Sequence, residues 1–542
     1  VAGNDPNAFV TIADNQNGGT VEAVVAKLVA EGNEITDPML SGISREPNQQ
    51  LDPRPNSGSP AYGNAVAATD EWFDAVTYRG AFDAKDNWMS GWTATDELGY
   101  FGNLFNSTVE IIRDEDLVAG GTYTFTNDKE YILDGYVFLE EGGSLTIQPG
   151  TIIKGKNQPT NASDNASALI ITKGATINAR GTADEPIVFT AELDDVNDPT
   201  DLGAQDKGLW GGLILLGNAT VGEDGGFDNI EGIPADEGRA QYGGSNDDDS
   251  SGSLCYISIR HGGAALQADN EINGLTLGGV GRGTDIHHIE VFANEDDGIE
   301  FFGGTVDLKY GATLFCGDDG FDYDESWGGR GQFWFFLSES DNGNHAGEHD
   351  GSESADKTPK SFPTIYNATY IGSGAQSDDA CLNLKDDAAA VYANSIFTAF
   401  NTGLQLRNRG TSDSYSRYLT DGDTKFLNNL WFDFVAGNDP NAFVTIADNQ
   451  NGGTVEAVVA KLDAEGNEVV DPTLRGISRE PNEQLDPLPD AGSPAFENIA
   501  ATTDEWFDVV EFRGAFGFDN WMFGWTALDA YGYLGDLSDT GI

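Results

Sequence analysis

Cysteine is nearly missing from this chain: three in 542 residues, Cys255, Cys316 and Cys381, widely spaced. That is too few for a disulfide framework and lacks zinc-ligand spacing, so packed thiols are expected, with one disulfide as the alternative. Positive charge is scarce as well. Against 90 Asp and Glu stand 28 Lys and Arg, a formal net charge of −62. Phosphate neutralisation needs clustered cations, so the composition disfavours nucleic-acid binding, and it equally disfavours adsorption to anionic membranes. No apolar run approaches the roughly 18 residues of a membrane span. No basic-then-apolar leader pattern stands at the amino end, and Val1 reads either as a mature terminus or as a point within a longer polypeptide. Aromatics, at 11%, are not scarce, and that argues against an acidic disordered chain. The charge suits a protein kept soluble outside the cell in divalent-rich water.

What is present in excess is repetition. Residues 1–28, VAGNDPNAFVTIADNQNGGTVEAVVAKL, recur without a mismatch at 435–462. The likeness continues from SGISREPNQQLDPRP (41–55) to RGISREPNEQLDPLP (475–489), and from DEWFDAVTYRGAF (70–82) to DEWFDVVEFRGAF (504–516). The strand-like FLNNLWFDF before the second copy has no counterpart before the first. Segment 1–101 therefore reads as the tail of a preceding unit, or as an element that contacts one.

The intervening body, 102–434, reads as β structure throughout. TYTFT (122–126), SLTIQPGTIIKG (144–155), ALIITKGATINARG (168–181) and GLWGGLILLG (208–217) are short, rich in Val, Ile, Leu and Thr, and punctuated by Gly, Asn and Asp. DDGIEFFGG (296–304) and DDGFDYDES (318–326) share one pattern 22 residues apart, about one turn of a three-sided coil. A stacked pair is also expected around Asn367 and Asn394. The spacing predicts an all-β fold, a parallel β-helix, over a sandwich.

The phrases YILDGYVFLEEGGSLTIQPGTIIKG, EINGLTLGGVGRGT, DDGIEFFGGTVDLKY, FCGDDGFDYDESW and LDPRP…YRGAF…NW…GWT resemble a group of bacterial secreted, right-handed parallel β-helix surface proteins associated with type IX secretion. The resemblance covers nearly all of 102–542. It implies a right-handed solenoid, a closing element at 435–542 that shuts its carboxyl end, a second such element at 1–101, and an extracellular or cell-surface location. It implies no assigned activity.

Stacking the two acidic turns places Asp296, Asp297 and Glu300 one coil from Asp318, Asp319 and Asp322, with Asp324 and Glu325 beside them. Carboxylates one strand spacing apart repel unless a cation intervenes, and a structural Ca²⁺ suits oxygen ligands in this number. The alternative is that the turns splay into water and pair with Lys309 or Arg330. His345-Ala-Gly-Glu348-His349 fits a metalloprotease pattern but lies in a Gly- and Asp-rich stretch without helical periodicity, so it is expected to be a loop. His287 and His288 lie on one strand, one expected inward and one outward. Trp88, Trp92, Trp521 and Trp525 with Tyr78, Phe82, Phe512 and Phe516 are expected to form the core of the closing elements rather than a sugar platform.

No nucleophile motif stands out, and GGVGRG (278–283) lacks the Lys of a phosphate loop. The expectation is a non-enzymatic structural protein whose partner is itself, joined head to tail into a filament or stalk. The other readings are a glycan-binding adhesin, gripping through Trp334 or Tyr323, and a polysaccharide hydrolase or lyase using Asp297 or Asp319.

Overall fold

The computed structural model describes residues 108–535 except 162, 265–271, 340–343, 353–357, 375–379, 411–412, 482 and 503, together with stretches of 1–107, chiefly 19–34, 76–82 and 93–97. Two units separate, one essentially 1–107 and the other the rest of the chain.

The larger unit is a right-handed parallel β-helix. Its first face is a ten-stranded parallel sheet running from Tyr136–Leu139 through Leu275–Gly278, Ile299–Phe302, Phe321–Asp324, Gly347–Asp350 and Ala380–Lys385 to Val444–Ala447. The second and third faces begin as separate strands and then fuse into long bent ones: Gly252–Arg260, Asp285–Phe292, Asp307–Leu314, Arg330–Leu337 and Thr364–Ile371. The 22-residue spacing is real register, since Glu300 pairs with Asp322 and Ile299 with Phe321.

Each bend is made by one residue with positive φ: Tyr256, His288, Tyr310, Phe333 and Asn367, continued by Asn394 and Asn428, all between 51° and 60°. A side chain at positive φ is costly unless it is Asn or is held by its neighbours. Here the first four are aromatic rings stacked coil on coil, with centroids 4.3, 4.2 and 4.8 Å apart. The last three are asparagines, whose Nδ2 groups donate to the carbonyls of Phe512, Ala500 and Asn498.

The interior is one continuous apolar column from Ile112 to Leu462. Rings stack along it, Phe301 on Trp327 at 4.1 Å and Phe321 on Trp334 at 4.3 Å. Trp334 and Tyr323 are 0% and 1% exposed, so they belong to this core and cannot grip a glycan. Cys255, Cys316 and Cys381 are buried free thiols.

The carboxyl-terminal segment departs from the expected boundary. Winding does not stop at 434: Val444–Ala447 extends the first face and Glu468–Val469 pairs with Leu430–Phe432. The end is covered by a helix, α2 (Val455–Ala464), capped by Thr454, which buries Val458 and Leu462 in the last coil's core. The remainder does not shut the end. It runs back along the flank, where Leu488, Phe516, Met522, Leu528 and Tyr531 pack on Phe292, Leu314, Phe315, Phe335 and Ile371. Those outward side chains of the third face are apolar and would otherwise meet water. Fully buried Glu290 pins the strap, accepting the backbone N–H groups of Ala527 and Leu528 at the start of a short helix. Trp521 and Trp525 pack beside Tyr256, His288 and Tyr310, a core role as expected. Trp88 and Trp92 lie outside the described residues.

The smaller unit carries helix α1 (Val21–Ala30), capped by Thr20 as α2 is by Thr454. Local contacts match the second copy. Leu40 bridges Pro55 as Leu474 pairs with Pro489. Arg79 reaches Glu34 at 3.1 Å, as Arg513 reaches Glu468 at 2.9 Å.

Candidate metal centre

Outward positions on the first face form a column whose chemistry changes along the axis. Phe138, Ile170 and Ile214 come first, covered by Val221, Ile230, Ile233 and Tyr242 of an inserted hairpin. Thr276, Glu300 and Asp322 follow in register, then Glu348 and Asn383. A parallel column lies at the turn just before these strands: Asn273, Asp297, Asp319 and His345. There Asp297 Oδ1 accepts the N–H of Asp319 at 2.8 Å, and Asp319 Oδ1 accepts that of His345 at 2.6 Å.

The turns therefore do not splay into water. Asp297, Glu300, Asp319 and Asp322 are 7%, 6%, 2% and 8% exposed. Lys309 and Arg330 are engaged elsewhere, Lys309 with Asp508 at 3.1 Å and Arg330 with Asp307 and Asp504. Burial is the first cause holding all four carboxyls well above the usual carboxylate range. Neighbouring carboxylates add to it: Asp296 and Asp318 for Asp297, Glu231 and Asp322 for Glu300, and Asp297 and Glu348 for Asp319 and Asp322.

Among the described residues, three groups of carboxylates have oxygens within 4.8 Å of one another: Asp296, Asp297 and Asp318; Asp297, Glu300 and Asp322; Asp319, Asp322 and Glu348. Six of the seven residues expected from sequence thus come together. Asp324 belongs to none of the groups, and Glu325 turns away to the Tyr242 hydroxyl, its carboxyl pushed by burial to about 8. Glu348, the residue the spacing missed, enters from a coil 26 positions on, Tyr323 pairing with His349.

The H-x-x-E-H segment is neither helix nor loop in its second half, since Gly347–Asp350 is a strand of the first face. The turn before the strand parts its two histidines, since His345 lies in that turn and only His349 lies on the strand. His349 faces the core, stacked on Tyr323 at 4.1 Å and bonded to the Tyr392 hydroxyl at 2.7 Å. His345 lies at the carboxylates. Its Nδ1 donates to the Ala380 carbonyl at 2.7 Å, and its Nε2 therefore accepts from Asn383 Nδ2 at 3.3 Å. With the ligand pair split between inside and outside, a protease zinc site does not form. His287 and His288 are both half-buried, because the corner at His288 breaks the alternation.

A second concavity, of about 490 Å³, lies on the flank beside the strap, lined by Arg282, His287, Lys309, Tyr310, Arg330 and Trp506 among others. It brings three of the chain's scarce cations together, with Lys309 and Arg330 over the Trp506 ring at 4.8 and 4.9 Å. Sequence reasoning had no signal for it, since the residues come from three coils and the strap.

The described helices include none long and apolar enough to cross a membrane. No curated protein matches the chain. Residues 118–469, more than half of the chain and nearly the whole coil, match the family described as pectate-lyase like beta helix domain. With ten parallel first-face strands winding over that same stretch, the chain is a member of the pectate-lyase-like β-helix family.

Proposed function

We propose that this protein is an extracellular structural solenoid, joined end to end with others of its kind through its leading segment. One observation carries the reading. A helical sequence differing only in Val29 against Asp463 occurs twice with the same cap, yet α2 buries Val458 to 0% and Leu462 to 4%, whereas α1 buries none of its residues and leaves Val24 39% exposed. The first copy thus keeps the local contacts of a closing element and presents the apolar face that the second copy spends on a coil end.

The partner with matching chemistry is the last coil of another such solenoid, offering the counterparts of Trp431 and Phe434. A coil end covered by its own closing segment must release it first. A preceding unit without one binds directly, whether on a separate chain or in the same polypeptide. Contacts of this kind are heterologous and propagate, and a charge of −62 keeps neighbouring fibres apart. Burial of Asp297 and Asp319 supports a non-enzymatic reading, because a polymer reaches only a carboxylate open to solvent.

Comparing the full chain with one lacking 1–107 by negative-stain imaging and sedimentation tests this. Long particles from the full chain and single rods from the shortened one are expected, whereas the same assemblies from both would overturn the assignment. Intact mass then separates tandem units from separate chains. The flank concavity favours glycan attachment as a second reading: binding on a glycan array, lost with Trp506→Ala, would support it.

A further inference from the structure

The geometry points to a divalent cation site, Ca²⁺ by its chemistry, on the first face of the coil, held by Asp297, Glu300 and Asp322 and extended through Asp322 to Asp319 and Glu348. This goes beyond the assembly reading and does not depend on it.

Stacked acids alone would not carry the assignment, since exposed acidic clusters commonly hold nothing. These are not exposed, and three further atoms point to a ligand. Asp322 Oδ1, on a side chain 8% exposed, has no hydrogen-bond donor. Asn273, 1% exposed, places its Nδ2 on the Glu300 carboxylate and leaves its Oδ1 without a partner. Asn383 does the same from the other end, with Nδ2 on Glu348 at 3.1 Å and Oδ1 unpartnered. Orphaned buried acceptors at both ends of a line of buried carboxylates call for positive charge between them. The one cation among the residues described around the line, Lys385, is taken up by Glu348 and Asp350 at the far end, 2.8 and 2.9 Å away.

The donor set selects the metal. All ligands are oxygens, and the one nearby imidazole nitrogen, His345 Nε2, is already occupied by Asn383, so a soft or nitrogen-seeking metal has no claim. Carboxylates drawn from turns and strands of successive coils suit the flexible, many-oxygen coordination of Ca²⁺ better than the near-ideal octahedron that Mg²⁺ demands. An ion at Asp297, Glu300 and Asp322 ties two successive coils together where their own side chains repel, and the group at Asp319, Asp322 and Glu348 continues the tie to a third.

The full chain, stripped with a chelator, is titrated with Ca²⁺ alone by calorimetry and melted with and without it. A tight component above the diffuse background of so acidic a surface is expected, with a melting temperature several degrees higher. Asp322→Asn and, independently, Glu300→Gln remove the tight component, while Asp248→Asn, on an exposed loop residue, leaves it intact. In chelator the order reverses, and Asp322→Asn melts at or above the parent because a like charge has gone. A tight component that survives both substitutions, or only background binding by the parent, overturns the site. Neither result alters the imaging outcome for chains lacking 1–107.

Discussion

At the scale of single residues, environment rather than identity decides role. His288 shows this best. Burial, with His287 beside it, pushes its imidazole down to about 3. A histidine whose folded pKa lies below its unfolded value of about 6.5 contributes stability that is present above pH 6.5 and lost as pH falls towards 3. Lowering the pH from 7 to 5 should therefore remove roughly 2 kcal/mol through this one group. His288→Tyr, which keeps a ring in the corner stack between Tyr256 and Tyr310, should lose less stability over that interval, as read from melts of both proteins at each pH. Equal losses would show that the ring already titrates normally. Trp334→Ala should cost about 3–5 kcal/mol in denaturant unfolding, the range for emptying a large core aromatic, and leave any glycan binding unchanged.

Elements are held by their neighbours in the stack. The strap reads the corner of the coil: Asn394 gives its Nδ2 to the Ala500 carbonyl at 2.9 Å and takes the Ala500 N–H at 2.7 Å. Asn394→Gly keeps the left-handed backbone and deletes both bonds. It should cost about 1–3 kcal/mol and speed proteolytic nicking near residue 500, while far-ultraviolet circular dichroism stays unchanged. The two closing helices make a sharper comparison. Val458→Asp buries a charge in the last coil and should destabilise the solenoid by several kcal/mol. Val24→Asp, in the matching helix, should leave the monomer's melt within about 0.5 kcal/mol of the parent, as for an exposed site, yet shorten the particles seen by sedimentation. Equal thermal effects would mean that α1 is already buried against its own chain.

For the whole molecule, parallel stacking turns a local sequence bias into a long-range feature. An outward column that begins with Phe138, Ile170 and Ile214 and ends with Glu300, Asp322 and Glu348 divides one face into an apolar half, covered by an insertion, and an acidic half. The same stacking leaves unpaired backbone and apolar surface at the ends of the coil unless another segment covers them, as α2 does at the carboxyl end, and the proposed joining of units would act at such an end. Chains with α1 intact and the strap loosened by Asn394→Gly should still form long particles. Failure to do so would tie assembly to the flank.

The coil and most of its acidic centre were legible in the sequence because those parts repeat at constant spacing. Twenty-two residues separate Ile299 from Phe321 and Glu300 from Asp322, so register could be read by eye. The spacing then stretches to 26 residues at His349 and 35 at Leu384. Variable turns there hid Glu348, His345 and Asn383, and the same loss of pattern made Gly347–Asp350 look like a loop. Composition and local pattern determined that this chain is a coil of short strands bearing a duplicated segment. Only the tertiary structure decided that winding continues to 469, that the strap lies along the flank, and which carboxylates leave water. Those outcomes depend on which apolar surface is left uncovered after the coil has formed, a quantity that exists only once distant residues have met.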